Sequence, residues 1–219
     1  MALREALDAI DSAQRELATA RLWPTLPGGQ VLITGGAGFI GNRVWRQLRD
    51  KGYRVRILDN LCRTDTRVVD DVRAADGVEL IEGDICDRPT VDAAFAGVGG
   101  VIHLAADCIN LSVAEPAGSI RVNMVGAQNV FDAACQAKVR RVVHASSASV
   151  YGEPDKLPMH EDDALKPQTP YCITKLAGEQ LLAFYQKRHG LSSNARHCEV
   201  RDDARRPRAL RGQKMLAGL

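Results

Sequence analysis

No stretch of this 219-residue chain approaches the ~18 consecutive apolar residues that a membrane-spanning helix needs. The six cysteines, at positions 62, 86, 108, 135, 172 and 198, form no CxxC pair and have no companion histidine. That scatter argues against a zinc site or a disulfide framework and for free thiols. Charge of one sign is also scarce, since the formal balance of +2 is too small to imply a nucleic-acid partner. Nor do residues 1–29 contain the continuous apolar core of a signal peptide. Arg4, Glu5, Asp8 and Asp11 alternate there with Leu3, Leu7, Ile10, Ala13 and Leu17 at helical spacing, which predicts an amino-terminal helical extension. Together these absences direct the chain to the cytoplasm, with no membrane partner.

What is present is ordinary for a globular protein, with 45% hydrophobic and 26% charged residues. The informative segment is Val31-Leu32-Ile33-Thr34-Gly35-Gly36-Ala37-Gly38-Phe39-Ile40-Gly41, an apolar run flowing into glycines. It reads as a strand, a tight turn and the first turn of a helix. A pyrophosphate needs backbone N–H donors and the positive end of a helix dipole, with no side chain in the way. The helix is expected over Phe39 to Asp50, ending at Lys51-Gly52. A second strand, Tyr53 to Leu58, then stops at Asp59, where a dinucleotide fold hydrogen-bonds the adenine ribose. A carboxylate there repels a 2′-phosphate, so the expected cofactor is NAD rather than NADP, with Arg56 and Arg63 nearby as the opposing influence.

Further strands are expected at Val78 to Glu82, Gly100 to Leu104 and Arg140 to Ala145, with a short helix around Thr90 to Ala96 and a longer one from about Ala117 to Ala137. Strand and helix alternate from residue 30 to 190, which calls for a doubly wound parallel sheet covered on both faces, a three-layer α/β Rossmann-like fold. Ligands in such sheets bind at the carboxyl ends of the strands. Asp59, Asp84, the segment after His103, and Ser147 all lie at those ends. His103 itself is read as a strand-end packing residue rather than a proton-transfer group.

Tyr171 and Lys175 lie four residues apart on a run expected to be helical from Pro170 past Tyr185. That spacing puts both on one face, so the ammonium can favour the phenolate and make the tyrosine a general base. Ser147 can hold the same substrate hydroxyl.

In order along residues 30 to 190, the chain shows Thr34 to Gly41, Leu58-Asp59-Asn60-Leu61, Gly83-Asp84-Ile85, His103-Leu104-Ala105-Ala106, Asn123 with Gly126, Ser146 to Gly152, and Tyr171 with Lys175. In these pieces it resembles the extended short-chain dehydrogenase/reductases, specifically the NAD-dependent epimerase/dehydratase family that acts on nucleotide sugars. The resemblance implies that Gly35, Gly38, Phe39, Ile40 and Gly41 surround the pyrophosphate. Asp59 and Asn60 would take the adenine ribose, and Asp84 with Ile85 would flank the adenine. Leu104, Ala105 and Ala106 would line the cofactor, with Asn123 near the inner site. Ser147, Tyr171 and Lys175 would be the catalytic trio, and Tyr171 and Lys175 would also contact the cofactor. Dehydratases of that family place an acidic pair after the active-site hydroxyl, where this chain has Ala148 and Ser149. The closer resemblance is therefore to the UDP-glucose 4-epimerase branch, implying a UDP-sugar substrate and a homodimer through the long helices. The alternatives are another NAD-dependent sugar dehydratase or reductase, and a non-catalytic NAD-binding module with a basic interaction tail.

After Leu191 the family's expected strand and substrate domain are not recognisable. Residues 191–219 carry seven Lys or Arg against three acids and read as an atypical basic tail in place of that domain. The fold is accordingly expected to be incomplete at the carboxyl end, with weak or no turnover. A reading-frame shift near Val200 would account for the composition and the stop together.

Overall fold

The computed structural model describes residues 29–154 and 159–198. Six parallel strands form one sheet in the order β3-β2-β1-β4-β5-β6. They are β1 (Gln30–Thr34), β2 (Arg54–Asp59), β3 (Val78–Glu82), β4 (Gly100–His103), β5 (Arg141–Ser147) and β6 (Ser193–Cys198). This is the strand order of the doubly wound dinucleotide fold, with its crossover between β1 and β4. The carboxyl ends of those two strands, Thr34 and His103, are register partners.

The sheet is apolar on both faces because helices cover both. Along β1, Val31 and Ile33 pack with Trp45, Leu48, Ile57 and Val72. Leu32 points the other way, into a cluster with Phe131, Val142, Leu182 and Tyr185. The first cluster is covered by α1 (Phe39–Asp50) and α2 (Thr66–Ala74). The second is covered by α3 (Arg88–Ala94), α6 (Ala127–Gln136) and α7 (Pro170–His189). Two short helices, α4 (Ile109–Ala114) and α5 (Pro116–Ile120), lead into a π-helical turn at Arg121–Gly126 and then α6. Among the described residues no helix is long and apolar enough to cross a membrane.

The helix expected over Phe39 to Asp50 has those bounds. The long helix expected over 117–137 is instead α5, the π turn and α6 in succession, starting at Pro116. Proline is tolerated there because the first helical residue needs no N–H bond. Helix α7 is well delimited: Thr169 caps its amino end by accepting the Cys172 N–H, Pro170 occupies the first turn, and Gly190 ends it with φ +68.

The largest departure lies past residue 190. Residues 193–198, expected to belong to a tail without periodicity, form β6 and pair with β5 from Val142↔Ser193 to Ser147↔Cys198. The sheet thus extends beyond the expected boundary. The expected helical extension, apart from Gly29, and the remainder of the basic tail lie outside the described residues.

Candidate active site

The glycine-rich turn joins β1 to α1. Gly35 adopts φ +69, and a Cβ there would lie 2.7 Å from the Ala105 nitrogen, so the turn after β1 presses against the chain leaving β4. A Cβ on Gly41 would lie 2.5 Å from the carbonyl oxygens of both Gly35 and Gly36. The helix can therefore start close beneath the turn only if this residue has no side chain. Gly38 caps α1 without a side-chain hydrogen bond, and the first turn carries no acid. Its N–H groups and the positive end of its dipole are left to a ligand, a donor set that matches a diphosphate. Phe39 beside it is 88% exposed, and Ile40 is half-buried.

Asp59, half-buried at the end of β2, accepts the Ala37 N–H at 3.0 Å and the Leu61 N–H at 2.9 Å. It anchors the glycine turn from across the strand end. The side chain of neighbouring Asn60 accepts the Cys62 N–H at 3.3 Å. Arg56 is turned away from this end: it pairs with Glu79 at 2.8 Å and donates to the carbonyl oxygens of Ala94 and Ala96 at the end of α3. Arg63 donates to Cys108 Sγ at 3.0 Å. Burial pushes the Cys108 thiol up, but the Arg63 hydrogen bond and charge and nearby backbone N–H groups outweigh it and leave the thiol lowered.

Farther along the strand ends, Asp84 is exposed and folds back to accept the Cys86 N–H at 2.8 Å. The Ile85 side chain is buried in the core, while its carbonyl oxygen accepts from Asn129 at 3.0 Å. Any Ile85 contact with a ligand is therefore through backbone. Leu104, Ala105 and Ala106 leave β4 half-buried, and the Ala105 N–H donates to Thr34 Oγ1 at 3.3 Å.

Asn123 sits in the π turn and is 5% exposed, with its carboxamide fully engaged. Its Oδ1 accepts the Asp107 N–H at 2.8 Å, and its Nδ2 donates to the Asp107 carbonyl at 3.3 Å and to Thr174 Oγ1 at 3.1 Å. It ties the β4 loop to α7. Thr174, inside the Tyr171–Lys175 spacing, went unremarked in the sequence, and only its position between those two residues signalled it.

Lys175 is 4% exposed, and its Nζ donates to the Ala145 carbonyl on β5 at 2.9 Å. The same ammonium lies 5.7 Å from the centroid of the Tyr171 ring, which is half-buried one turn earlier. Beneath it two imidazoles, His103 and His144, stack with centroids 5.2 Å apart. Burial, and then the Lys175 charge, push His103 down to about 3. Burial, Lys175 and His103 likewise hold His144 well below the usual imidazole range. Both rings are neutral, so one buried cation is kept without a second beside it. His103 Nδ1 lies 2.6 Å from Thr34 Oγ1, and its packing against His144 and Phe131 agrees with the packing role expected for it.

Ser147 ends β5, 9% exposed, with its Oγ 2.7 Å from Ser149 Oγ. Ala148 and Ser149 open a single 3-10 turn, Ala148–Tyr151. The structure thus brings Ser147, Tyr171 and Lys175 to the junction of β5 and α7, while the glycines and Asp59 gather at the ends of β1 and β2.

This strand order, with an uncapped helix behind a glycine turn and a carboxylate at the end of β2, defines an α/β protein of the dinucleotide-binding class. Comparison narrows it further. The pattern of the NAD dependent epimerase/dehydratase family matches residues 31–197, and the chain belongs to that family. It is 37% identical over 157 residues to UDP-glucose 4-epimerase of Bacillus subtilis, covering 69% of this chain and 46% of that protein. It is 33% identical over 178 residues to dTDP-glucose 4,6-dehydratase of Streptomyces niveus, covering 77% and 53%. Among solved structures, UDP-glucose 4-epimerase from Brucella ovis in complex with NAD superposes with a TM-score of 0.70 at 35% identity, over 76% of this chain and 50% of that one. The chain spans about half the length of the relatives it matches.

Proposed function

We propose that this chain binds NAD and that its site is built for 4-epimerisation of a nucleotide sugar, with a UDP-sugar as the substrate class. The observation that carries the reading is the placement of Lys175: its ammonium is held by the Ala145 carbonyl at 2.9 Å, 5.7 Å from the Tyr171 ring and one helical turn away. A fixed cation beside a phenol favours the phenolate, so Tyr171 can take the proton of a sugar hydroxyl. NAD, when bound, supplies the acceptor and later the donor of hydride at the carbon bearing that hydroxyl. The chain's own residues do the rest. The α1 amino end and the glycine turn take the diphosphate. Asp59 takes the adenine ribose and disfavours a 2′-phosphate, and Arg56 is committed to Glu79 and to α3. Ser147 orients the reacting oxygen and Tyr171 returns the proton.

A sugar 4,6-dehydratase is the second reading, favoured by the 33% identity to the Streptomyces niveus enzyme. Against it, eliminating water needs an acid and a base next to the active-site hydroxyl. Here the turn presents Ala148, and a Ser149 hydroxyl bonded back to Ser147. The UDP-glucose 4-epimerase likeness agrees with that absence. Exposed Ile109 and Val113 on α4 and Ile173 and Phe184 on α7 support a homodimer through this side of the molecule.

Calorimetry of the purified chain with NAD, then with UDP-glucose in the same sample, tests the proposal. Gly38→Glu, which puts a carboxylate where the diphosphate sits, is the negative control. NAD binding abolished by Gly38→Glu is the expected result, followed by UDP-glucose binding and by an epimerisation that is weak at best and is lost in Tyr171→Phe. A folded chain that ignores NAD defeats the proposal. NAD binding without sugar binding defeats the substrate assignment alone.

A further inference from the structure

The backbone of Tyr171 is held on both sides by hydroxyls that lie outside the Ser147, Tyr171 and Lys175 trio. Helix α7 begins at Pro170, and the first N–H groups of a helix lack partners within it. Thr169 meets those of Cys172, through Oγ1 at 3.3 Å, and Ile173, through its carbonyl at 3.0 Å. The Tyr171 N–H donates instead to Ser112 Oγ at 3.1 Å, on α4 and 59 positions upstream. Ser112 is fully buried, and its own proton goes to the Ile109 carbonyl at 2.7 Å. Its oxygen therefore faces Tyr171 only as an acceptor.

A second hydroxyl holds the Tyr171 carbonyl. Thr174 Oγ1 donates to it at 2.8 Å and accepts from Asn123 Nδ2 at 3.1 Å. Thr174 is buried, and its single hydroxyl proton is spent on that bond. Both holds lead back to one stretch of chain. Asn123 bonds the N–H and the carbonyl of Asp107, and α4, which carries Ser112, opens at Ile109. Asp107 directly follows Leu104, Ala105 and Ala106, the residues expected to line the cofactor.

We propose that Ser112 and Thr174 are positioning residues that index the Tyr171 phenol to the segment after β4. The proposal rests on the reading of Tyr171 as the base. When an alcohol is oxidised, the O–H proton and the C–H hydride leave from neighbouring atoms, so the proton acceptor has to stand at a set distance from the hydride acceptor. The bond from Lys175 to the Ala145 carbonyl fixes the ammonium on β5. It does not fix the phenol. The ring follows the Tyr171 backbone, and the two hydroxyls tie that backbone to the loop after β4. Each acts through Tyr171.

Three variants of the full chain test this: Ser112→Ala; Thr174→Val, which keeps the shape and removes the hydroxyl; and Thr174→Ser, which keeps the hydroxyl. The first readout is hydrogen exchange of the Tyr171 amide. In Ser112→Ala it quickens about tenfold, the worth of one hydrogen bond, while the Cys172 amide, held by Thr169, changes less. The second readout needs no turnover. It is the titration of Tyr171, followed by tyrosinate absorbance and identified by its loss in Tyr171→Phe. Burial holds Tyr53, Tyr151 and Tyr185 above the ordinary phenol range, which keeps them apart from it. With the ring no longer held against Lys175, the titration moves to higher pH in Ser112→Ala and Thr174→Val and stays in place in Thr174→Ser. Turnover of UDP-glucose follows the same order: kcat falls about tenfold in the first two with KM within twofold, and Thr174→Ser recovers it. An unchanged Tyr171 amide overturns the Ser112 bond. A faster amide with an unmoved titration overturns the positioning role and leaves the epimerase reading intact. The same titration shifts in a chain that does not convert UDP-glucose uphold the positioning role and count against the epimerase reading alone.

Discussion

The carboxylate of Asp59 accepts the backbone N–H of Ala37 at 3.0 Å, so the end of β2 holds the glycine turn that follows β1. One residue thereby serves two ends. It shapes the loop that would receive a diphosphate, and it presents negative charge where an adenine ribose would lie. Asp59→Ala leaves the N–H groups of Ala37 and Leu61 without this acceptor and removes the charge. Calorimetry should show NAD affinity falling by about tenfold or more, the cost of one or two hydrogen bonds. The discrimination against NADP should fall further, and equal loss for both cofactors would count against the ribose role.

Tyr171→Phe keeps the ring beside Lys175 and removes the hydroxyl proposed to take the sugar proton. Epimerase turnover should drop by about 10²–10⁴-fold, the usual weight of a general base, with NAD affinity within a few-fold of wild type. Near-normal turnover in this variant would move the base elsewhere.

The stacked imidazoles make stability depend on acid. His103 is held at about 3 in the folded chain against an ordinary 6.5, and His144 is shifted the same way. The unfolded chain therefore binds more protons below about pH 6.5. Stability from this pair is fully present above pH 6.5 and is lost progressively as the pH falls toward 3. Urea midpoints measured across that range should decline with acid, and the decline should be shallower in His144→Phe. An equal slope in that variant would show that the imidazoles do not drive it.

Trp45 is fully buried beneath Arg46, whose guanidinium lies 4.4 Å from the ring centroid. Its Nε1 has no hydrogen-bond partner among the described residues. Trp45→Phe removes an unsatisfied N–H along with some volume, so the two effects oppose and the change should stay within about 1.5 kcal/mol. Trp45→Ala has no such offset and should cost about 3–5 kcal/mol in denaturant unfolding. A cost for phenylalanine as large as that for alanine would mean the indole N–H is satisfied by water.

The parts legible in the sequence were those whose signal is local. Strand β1, the glycine turn and α1 read directly because apolar periodicity and glycine spacing sit in one short window. Helix α2 was overlooked although its signal is present: Asp65 caps it by accepting the Arg67 N–H at 2.9 Å, and Val69 and Val72 form its buried stripe. Strand β6 could not be read in this way. Ser193 to Cys198 has no apolar alternation, and its extended form comes from pairing with β5, a partner some fifty residues upstream. Asn123 was placed by resemblance near the inner site, but its bond to Thr174 spans 51 positions and belongs to no pattern.

The seating of β1 between β2 and β4 also sets a schedule for assembly. Its pairing with β2 closes a short loop and can form early, whereas the pairing of Val31 with Gly100 must wait for a segment about seventy residues downstream. Such distant contacts slow folding, because chain entropy is lost before the contact returns any of it. Until β4 docks, one edge of a strand that ends fully buried stands open, and Val31, Leu32 and Ile33 are then exposed to self-association. The crossover at which the strand order reverses is thus also the slow and vulnerable seam during synthesis.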